Sequence, residues 1–209
     1  WCQRRISRNV AVPKMIILPD EKLVVLTAPR TGSLHLHQAL CARRNAYWVV
    51  GTQNGHTSSR HIATIPNEFR HYRRALIVRH PYKRLLGLYD EYNRQRSEAR
   101  KKPLSLLEYV HQRHAFGWRH SWSIAKWADE TVFDFTFRLE KIRSDLRDVF
   151  QRVPTIKAAT TERDDWRSVF AQLPDADLAN LYSDLIEDSL FGYAHDVMRP
   201  NVAPIYKCL

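Results

Sequence analysis

The sequence predicts an α/β protein in three layers, a mostly parallel central sheet flanked by helices. Three observations carry that expectation. Short apolar runs of strand length recur along the chain. Helix-period segments separate most of them, and turn chemistry follows the carboxyl end of the first runs. At 209 residues the chain is expected to form one domain, residues 1–209, with enough apolar and aromatic content for a core around a sheet.

Residues 1–21 read as an irregular basic lead-in, because Pro13 and Pro19 limit regular structure there. The first strand is expected over Lys22–Thr27 and empties into Ala28-Pro29-Arg30-Thr31-Gly32-Ser33, with a helix over Leu34–Arg43 beyond it. Tyr47–Val50 reads as a second strand, Gly51–Gly55 as a turn, and Ser58–Thr64 as a short helix stopped at Pro66. Arg74–Arg79 has the apolar centre of a buried parallel strand and is bounded by Pro81. A helix follows from Tyr82 to about Arg100, its apolar Leu85, Leu86, Tyr89 and Tyr92 recurring at helical spacing.

Leu104–Gln112 reads as another helix, with Ser105 and Glu108 spaced as a capping box. In His120–Trp127 the helical spacing of Trp122, Ile124 and Trp127 points to core. Thr131–Arg138 alternates as a strand. Ile142–Arg152 and Ala176–Phe191 read as helices joined through a polar segment around Thr160–Asp165.

The strand, tight turn and helix start around Arg30 form an anion cradle: converging backbone N–H groups, a helix dipole and a full positive charge. Its spacing is not that of the common nucleotide P-loop, which has a longer glycine loop and a Lys-Ser/Thr pair. A second basic run, Arg79-His80-Pro81-Tyr82-Lys83-Arg84, follows another apolar strand. Two anion-seeking segments after neighbouring strands suggest a nucleotide phosphorylated at both ends.

Thirty-three basic against twenty-two acidic residues give +11, which suits an anionic partner. No long basic run or nucleic-acid reader motif is present, so no nucleic-acid partner is expected. Cys2, Cys41 and Cys208 are too few and too scattered for a metal site and suit a reducing compartment, a terminal Cys2–Cys208 bridge being the alternative. No apolar run reaches the roughly 18 residues that span a bilayer, and no signal peptide is visible. A cytoplasmic location is expected, and the opening at Trp1 rather than Met fits a trimmed N-terminus.

Five segments, in order, resemble the sulfotransferase superfamily that uses 3′-phosphoadenosine-5′-phosphosulfate, most nearly its carbohydrate-type and bacterial branches. Pro29–Ser33 resembles the 5′-phosphosulfate loop, and His56-Thr57 the entry to a short helix. Arg79–Arg84 with Tyr89 resembles the 3′-phosphate motif. Phe137-Arg138-Leu139-Glu140 with Asp145-Leu146 resembles a later segment of the family, and Tyr182–Tyr193 its C-terminal ending.

The resemblance implies a P-loop-like fold and a sulfotransferase. It would move a sulfuryl group from 3′-phosphoadenosine-5′-phosphosulfate to a hydroxyl, plausibly on a glycan or a small molecule, and release adenosine 3′,5′-bisphosphate. It also implies that Arg30, Thr31, Gly32 and Ser33 hold the 5′-phosphate and that Arg79 grips the 3′-phosphate, with Gly87 lining that site. The sequence departs from the family pattern at Leu34, where a second hydroxyl residue is usual, and at Gly87, where a serine is. Loss of that serine hydroxyl is worth roughly 1.5–3 kcal/mol, unless backbone N–H groups, Ser58, Ser59 or Lys83 make it good.

His56 is the expected general base, since an imidazole accepts a hydroxyl proton near neutral pH and this one follows a strand's carboxyl end. Arg30 is expected to balance charge on the departing phosphate. His35 and Glu140 are expected at the acceptor, with a structural pairing of Glu140 to Arg138 as the plainer alternative. Lys157 and Arg163 are candidates to close over the nucleotide. His111, His114 and His120 form no coherent ligand set, and no metal is expected. Two other readings stand beside the enzyme: a non-catalytic binder of nucleotide or polyanion, and a nucleotide-dependent phosphotransferase, which the absence of a Walker lysine disfavours.

Overall fold

The computed structural model describes residues 15–28, 30–31, 40, 47–49, 65, 67–116, 123–124, 132–150, 165–191 and 193. The expected single domain gathers into two compact units, residues 1–79 with 127–161, and residues 80–126 with 162–209.

The first unit holds a five-stranded sheet of β1 (Met15–Leu18), β2 (Leu23–Thr27), β3 (Tyr47–Val49), β4 (Arg73–Val78) and β5 (Phe135–Arg138), in the order β3-β1-β2-β4-β5. β2, β4 and β5 pair in parallel, while β1 runs antiparallel to both β2 and β3. Four strands therefore share one direction and β1 opposes them. The lead-in expected to be irregular through residue 21 is thus corrected: Met15–Leu18 is a fully buried strand. Pro19 marks its end rather than preventing it and opens the hairpin turn in which Lys22 N–H donates to the Pro19 carbonyl at 3.1 Å. Lys22 takes a positive φ of 48° to close that turn.

Core packing follows the strand pleat. Ile16, Leu18, Leu23, Val25, Ala75, Ile77 and Phe137 lie on one face with Leu40 and with Ile142, Leu146 and Phe150. Ile142 and Leu146 project from α3 (Ile142–Arg147), the helix that follows β5 through a 3₁₀ turn at Leu139–Lys141. The alternate residues Met15, Ile17, Val24, Leu26, Leu76 and Val78 are equally buried, which explains why these strands read as continuous apolar runs. β5 is shorter than expected. Its extension stops at Asp134, which caps the ladder by accepting Arg74 N–H on its carboxylate at 2.7 Å while its own N–H donates to the Arg74 carbonyl at 2.9 Å.

The second unit is helical. It contains α1 (Pro81–Glu98), α2 (Leu106–Gln112), α4 (Trp166–Phe170) and α5 (Asp175–Leu185), the last continuing as a 3₁₀ segment over Ile186–Phe191. Pro81 sits at the first helical position, where its missing N–H costs nothing. α1 ends in a Schellman arrangement: Lys101 N–H donates to Arg96 O at 2.8 Å, Arg100 N–H donates to Ser97 O at 2.9 Å, and Arg100 takes the left-handed position with φ 55°. The expected capping box starts α2, Ser105 Oγ accepting Glu108 N–H at 3.2 Å and the Glu108 carboxylate accepting Ser105 N–H at 2.7 Å. α4 was not foreseen. It is anchored by Trp166 stacked on Tyr82 at 5.3 Å and by Phe170 edge-on to Tyr82 at 4.9 Å.

The expected helices over Leu34–Arg43, apart from the helical, buried Leu40, and over Ser58–Thr64 lie outside the described residues. So do Trp122 and Trp127, whereas Ile124 is fully buried as expected.

Phe137→Ala removes a ring of the sheet core that is 1% exposed. Chemical denaturation should show a loss of about 3–5 kcal/mol. A loss under about 1 kcal/mol would mean that the core does not close on this side chain.

Candidate functional site

In the first unit, the ends of the three parallel strands stand side by side. Thr27 of β2 is in register with Ile77 of β4, and Val78 of β4 with Arg138 of β5. Carboxyl ends of parallel strands are where open α/β sheets gather ligands. Here they carry Arg30, Arg79 and Arg138.

The loop after β2 is built by one carbonyl. Ala28 O accepts the backbone N–H of Thr31 at 3.4 Å and the Thr31 hydroxyl at 2.7 Å, closing a four-residue turn. Arg30 occupies the third position of that turn with φ 64°. A left-handed conformation is the ordinary place for glycine and costs a side-chain-bearing residue about 1–2 kcal/mol. The Arg30 side chain is exposed, and Thr31 is fully buried.

Arg79 immediately follows β4 and is 7% exposed. Its guanidinium NH1 donates to the Arg30 carbonyl at 3.2 Å. A side chain at the end of one strand thereby holds the backbone of the loop that ends its neighbour. The two arginines singled out in the sequence are brought together, through a side chain on one and the backbone of the other.

At the third strand end, Asp145 of α3 accepts Arg138 N–H at 2.8 Å, Arg138 Nε at 3.1 Å and a terminal guanidinium nitrogen at 3.0 Å. Burial alone would push the Asp145 carboxyl up. The hydrogen bonds and charge of Arg138, helped by the Ser144 hydroxyl, outweigh it and hold the group below the ordinary carboxylate range. The partner of Arg138 in this fork is Asp145. Glu140 is half-buried in the 3₁₀ turn just beyond. Sequence reasoning passed over Asp145 as a ligand of Arg138; the seven-residue spacing across a strand-to-helix turn was the available signal.

Several expectations meet a different arrangement or lie elsewhere. Thr31 was expected to offer its N–H and hydroxyl to a phosphate, but both are turned inward to Ala28 and shape the loop. His56, Gly32, Ser33, His35, Lys157 and Arg163 lie outside the described residues. The basic run is divided, with Arg79 in the first unit and His80–Arg84 in the second.

Within that second unit, Gly87 is buried in the interior of α1. Arg84 is no helix-surface residue, being only 2% exposed. Burial pulls its guanidinium pKa down, and the fully buried Asp188 carboxylate, with Tyr109, pulls it back up. His80 is likewise buried, 4.3 Å from Trp166 and 5.5 Å from Tyr193. Burial, with Tyr182 nearby, pushes the Tyr82 phenol above its ordinary range. His111 and His114, considered for metal, instead face carboxylates of α5, His111 Nε2 lying 2.8 Å from Asp177 and His114 Nε2 3.6 Å from Asp184. Among the described residues no helix is long and apolar enough to cross a membrane.

Asp145→Asn should destabilise the protein at pH 7 by about 1.5–3 kcal/mol, the value of a charge-assisted hydrogen-bond set. The folded-state pKa is depressed, so the wild-type advantage is fully present above the unfolded pKa near 3.9 and is lost as pH falls through the lower folded value. Urea titrations of both proteins should therefore run parallel from pH 7 to about 5 and converge at more acid pH; a gap unchanged down to pH 2 would assign it to packing.

Comparison with protein-family models, with curated proteins and with solved structures returns no match to this chain.

Proposed function

We propose that this chain is a sulfotransferase of P-loop-like fold that takes 3′-phosphoadenosine-5′-phosphosulfate as donor and a carbohydrate hydroxyl as acceptor. One observation carries the reading most: Arg79, at the end of β4, donates to the carbonyl of Arg30 in the loop after β2 at 3.2 Å. Two cations flank one strand-end loop, as recognition of a doubly phosphorylated nucleotide requires. The resemblance of Pro29–Ser33 and Arg79–Arg84 to the family's phosphate segments supports the same assignment.

The bound donor supplies an activated sulfuryl group on a phosphate leaving group. Arg30, exposed at the turn, is suited to balance charge growing on that phosphate. Arg79 fixes the loop backbone on which Arg30 stands, so its guanidinium both positions and contributes charge. His56 takes the acceptor proton as the acceptor oxygen bonds to sulfur and the bond from sulfur to the 5′-phosphate oxygen breaks. Glu140 and His35 are assigned to the acceptor, and Thr31 moves from ligand donor to loop former.

A second reading is favoured by the inward-turned donors of Thr31 and by glycine at position 87. Both reduce the hydroxyl complement at a phosphate site, which suits a non-catalytic binder of nucleotide or polyanion.

Calorimetry should find magnesium-independent binding of adenosine 3′,5′-bisphosphate, weakened about 10- to 100-fold by Arg79→Gln, as loss of a charged hydrogen-bond donor implies. Magnesium-dependent ATP binding in its place would favour a phosphotransferase. With labelled donor and a panel of glycans, His56→Ala should abolish transfer while keeping nucleotide affinity. Full activity in that variant removes His56 as base, and nucleotide binding without turnover on any hydroxyl favours the binder.

A further inference from the structure

We propose that the basic turn closing α1, Arg100-Lys101-Lys102, together with Leu107 at the start of α2, is a docking surface for an anionic lipid bilayer. All three cations are exposed, and among the described residues no side-chain hydrogen bond or ion pair engages them. The acidic residues nearest in sequence are committed elsewhere. Glu91 and Glu98 are both bound by Arg94. Glu108 is held first by the Ser105 backbone and hydroxyl, with Lys102 and Arg96 contributing only charge.

The turn is rigid rather than loose. Its backbone is closed by the Schellman bonds, Arg96 Nε donates to Lys102 O at 2.8 Å, and Asn93 and Leu104 exchange side-chain and backbone hydrogen bonds at 2.9 Å each way. Tyr89 OH adds a further bond to Leu104 O at 3.0 Å. The cations are thus presented on a preorganised knob.

Arg100 holds the left-handed position that closes the Schellman turn, so its backbone is fixed by the helix end. The helix dipole does not account for the run, since Arg96 already sits in the last turn and residues 100–102 lie beyond the cap.

Of the anionic surfaces such a knob fits, a bilayer agrees best with its neighbours. Leu107 is one of two exposed large hydrophobic residues among those described, the other being Val132 in the first unit. Leu107 follows Lys102 by five residues in sequence, and an exposed apolar side chain close in sequence to clustered cations is a pairing that peripheral membrane contacts use. Single-stranded nucleic acid wants exposed aromatic faces. The aromatics beside the knob are instead turned on one another, Tyr92 on Phe116 at 4.1 Å and Tyr89 on Tyr109 at 5.3 Å.

The test is co-sedimentation of the full chain with vesicles of phosphatidylcholine alone, or with about one-third phosphatidylserine. Binding is expected to the anionic vesicles only, and to weaken as salt rises. Each cation near such a surface strengthens binding about fivefold, so replacing Arg100, Lys101 and Lys102 together by Gln should weaken it about a hundredfold. Leu107→Gln should weaken it several-fold. A charge-matched control, Lys141→Gln in the 3₁₀ turn with Arg143→Gln and Arg147→Gln on α3, should stay within about twofold of the parent if the site is local rather than a property of net charge.

Arg100→Gly separates binding from folding. It relaxes the left-handed residue and should raise the melting temperature, yet lower vesicle affinity about fivefold. The proposal is overturned if neutral vesicles bind equally, if the control loses as much as the triple variant, or if a DNA duplex binds through these three residues more tightly than the vesicles do.

Discussion

The parallel pairing of β2 with β4 is the constraint on which the first unit rests. It joins segments about fifty residues apart in sequence, fixes the register Thr27 to Ile77, and delivers the residues after both strands to one sheet edge. The Arg79–Arg30 hydrogen bond exists only because that pairing brings strand ends together. Both faces of β2 and β4 are buried, so a one-residue slip would place every apolar side chain of the strand on the opposite face and move Arg79 away from the loop.

At the strand ends the structure combines tension with restraint. Arg30 stands in a conformation that its side chain disfavours, and the turn survives because Ala28 O gathers two donors while Arg79 holds the Arg30 carbonyl. Arg138 shows the opposite economy. Two guanidinium hydrogen bonds and one from its backbone N–H bind it to Asp145, so α3 is tied to β5 by polar contacts as well as by Ile142 and Leu146. In the helical unit, acids of α5 and its 3₁₀ extension likewise face donors: Asp184 faces Arg113 just past α2, Glu187 accepts the Ser123 hydroxyl at 3.1 Å, and Asp188 answers Arg84 of α1. A buried guanidinium is tolerable only with such a partner.

Much of this architecture was legible in the residues. Leu23–Thr27 and Arg73–Val78 announce themselves by apolar runs ending in basic turns, and the Ser105–Glu108 capping box reads directly from spacing. What escaped has physical causes. Met15–Leu18 was hidden by its prolines, because a four-residue strand has too few positions to display a period. α4 was missed because its five residues are selected by tertiary contact, Trp166 and Phe170 finding Tyr82, rather than by helical propensity. At the site, sequence spacing identified Arg30 and Arg79 but not the direction of Thr31, whose hydroxyl faces a choice between its own backbone and a ligand that no local pattern decides.

The β1–β2 hairpin bears on how the sheet assembles. Only Pro19–Lys22 separates Leu18 from its partner Leu23, whereas partners in β2 and β4 lie fifty residues apart in sequence. Closure entropy rises with the length enclosed, and topologically local contacts form soonest. The antiparallel strand that breaks the sheet's common direction therefore gives β2 an early partner. It covers one edge of β2 against stray pairing with other nascent chains and leaves the opposite edge for β4.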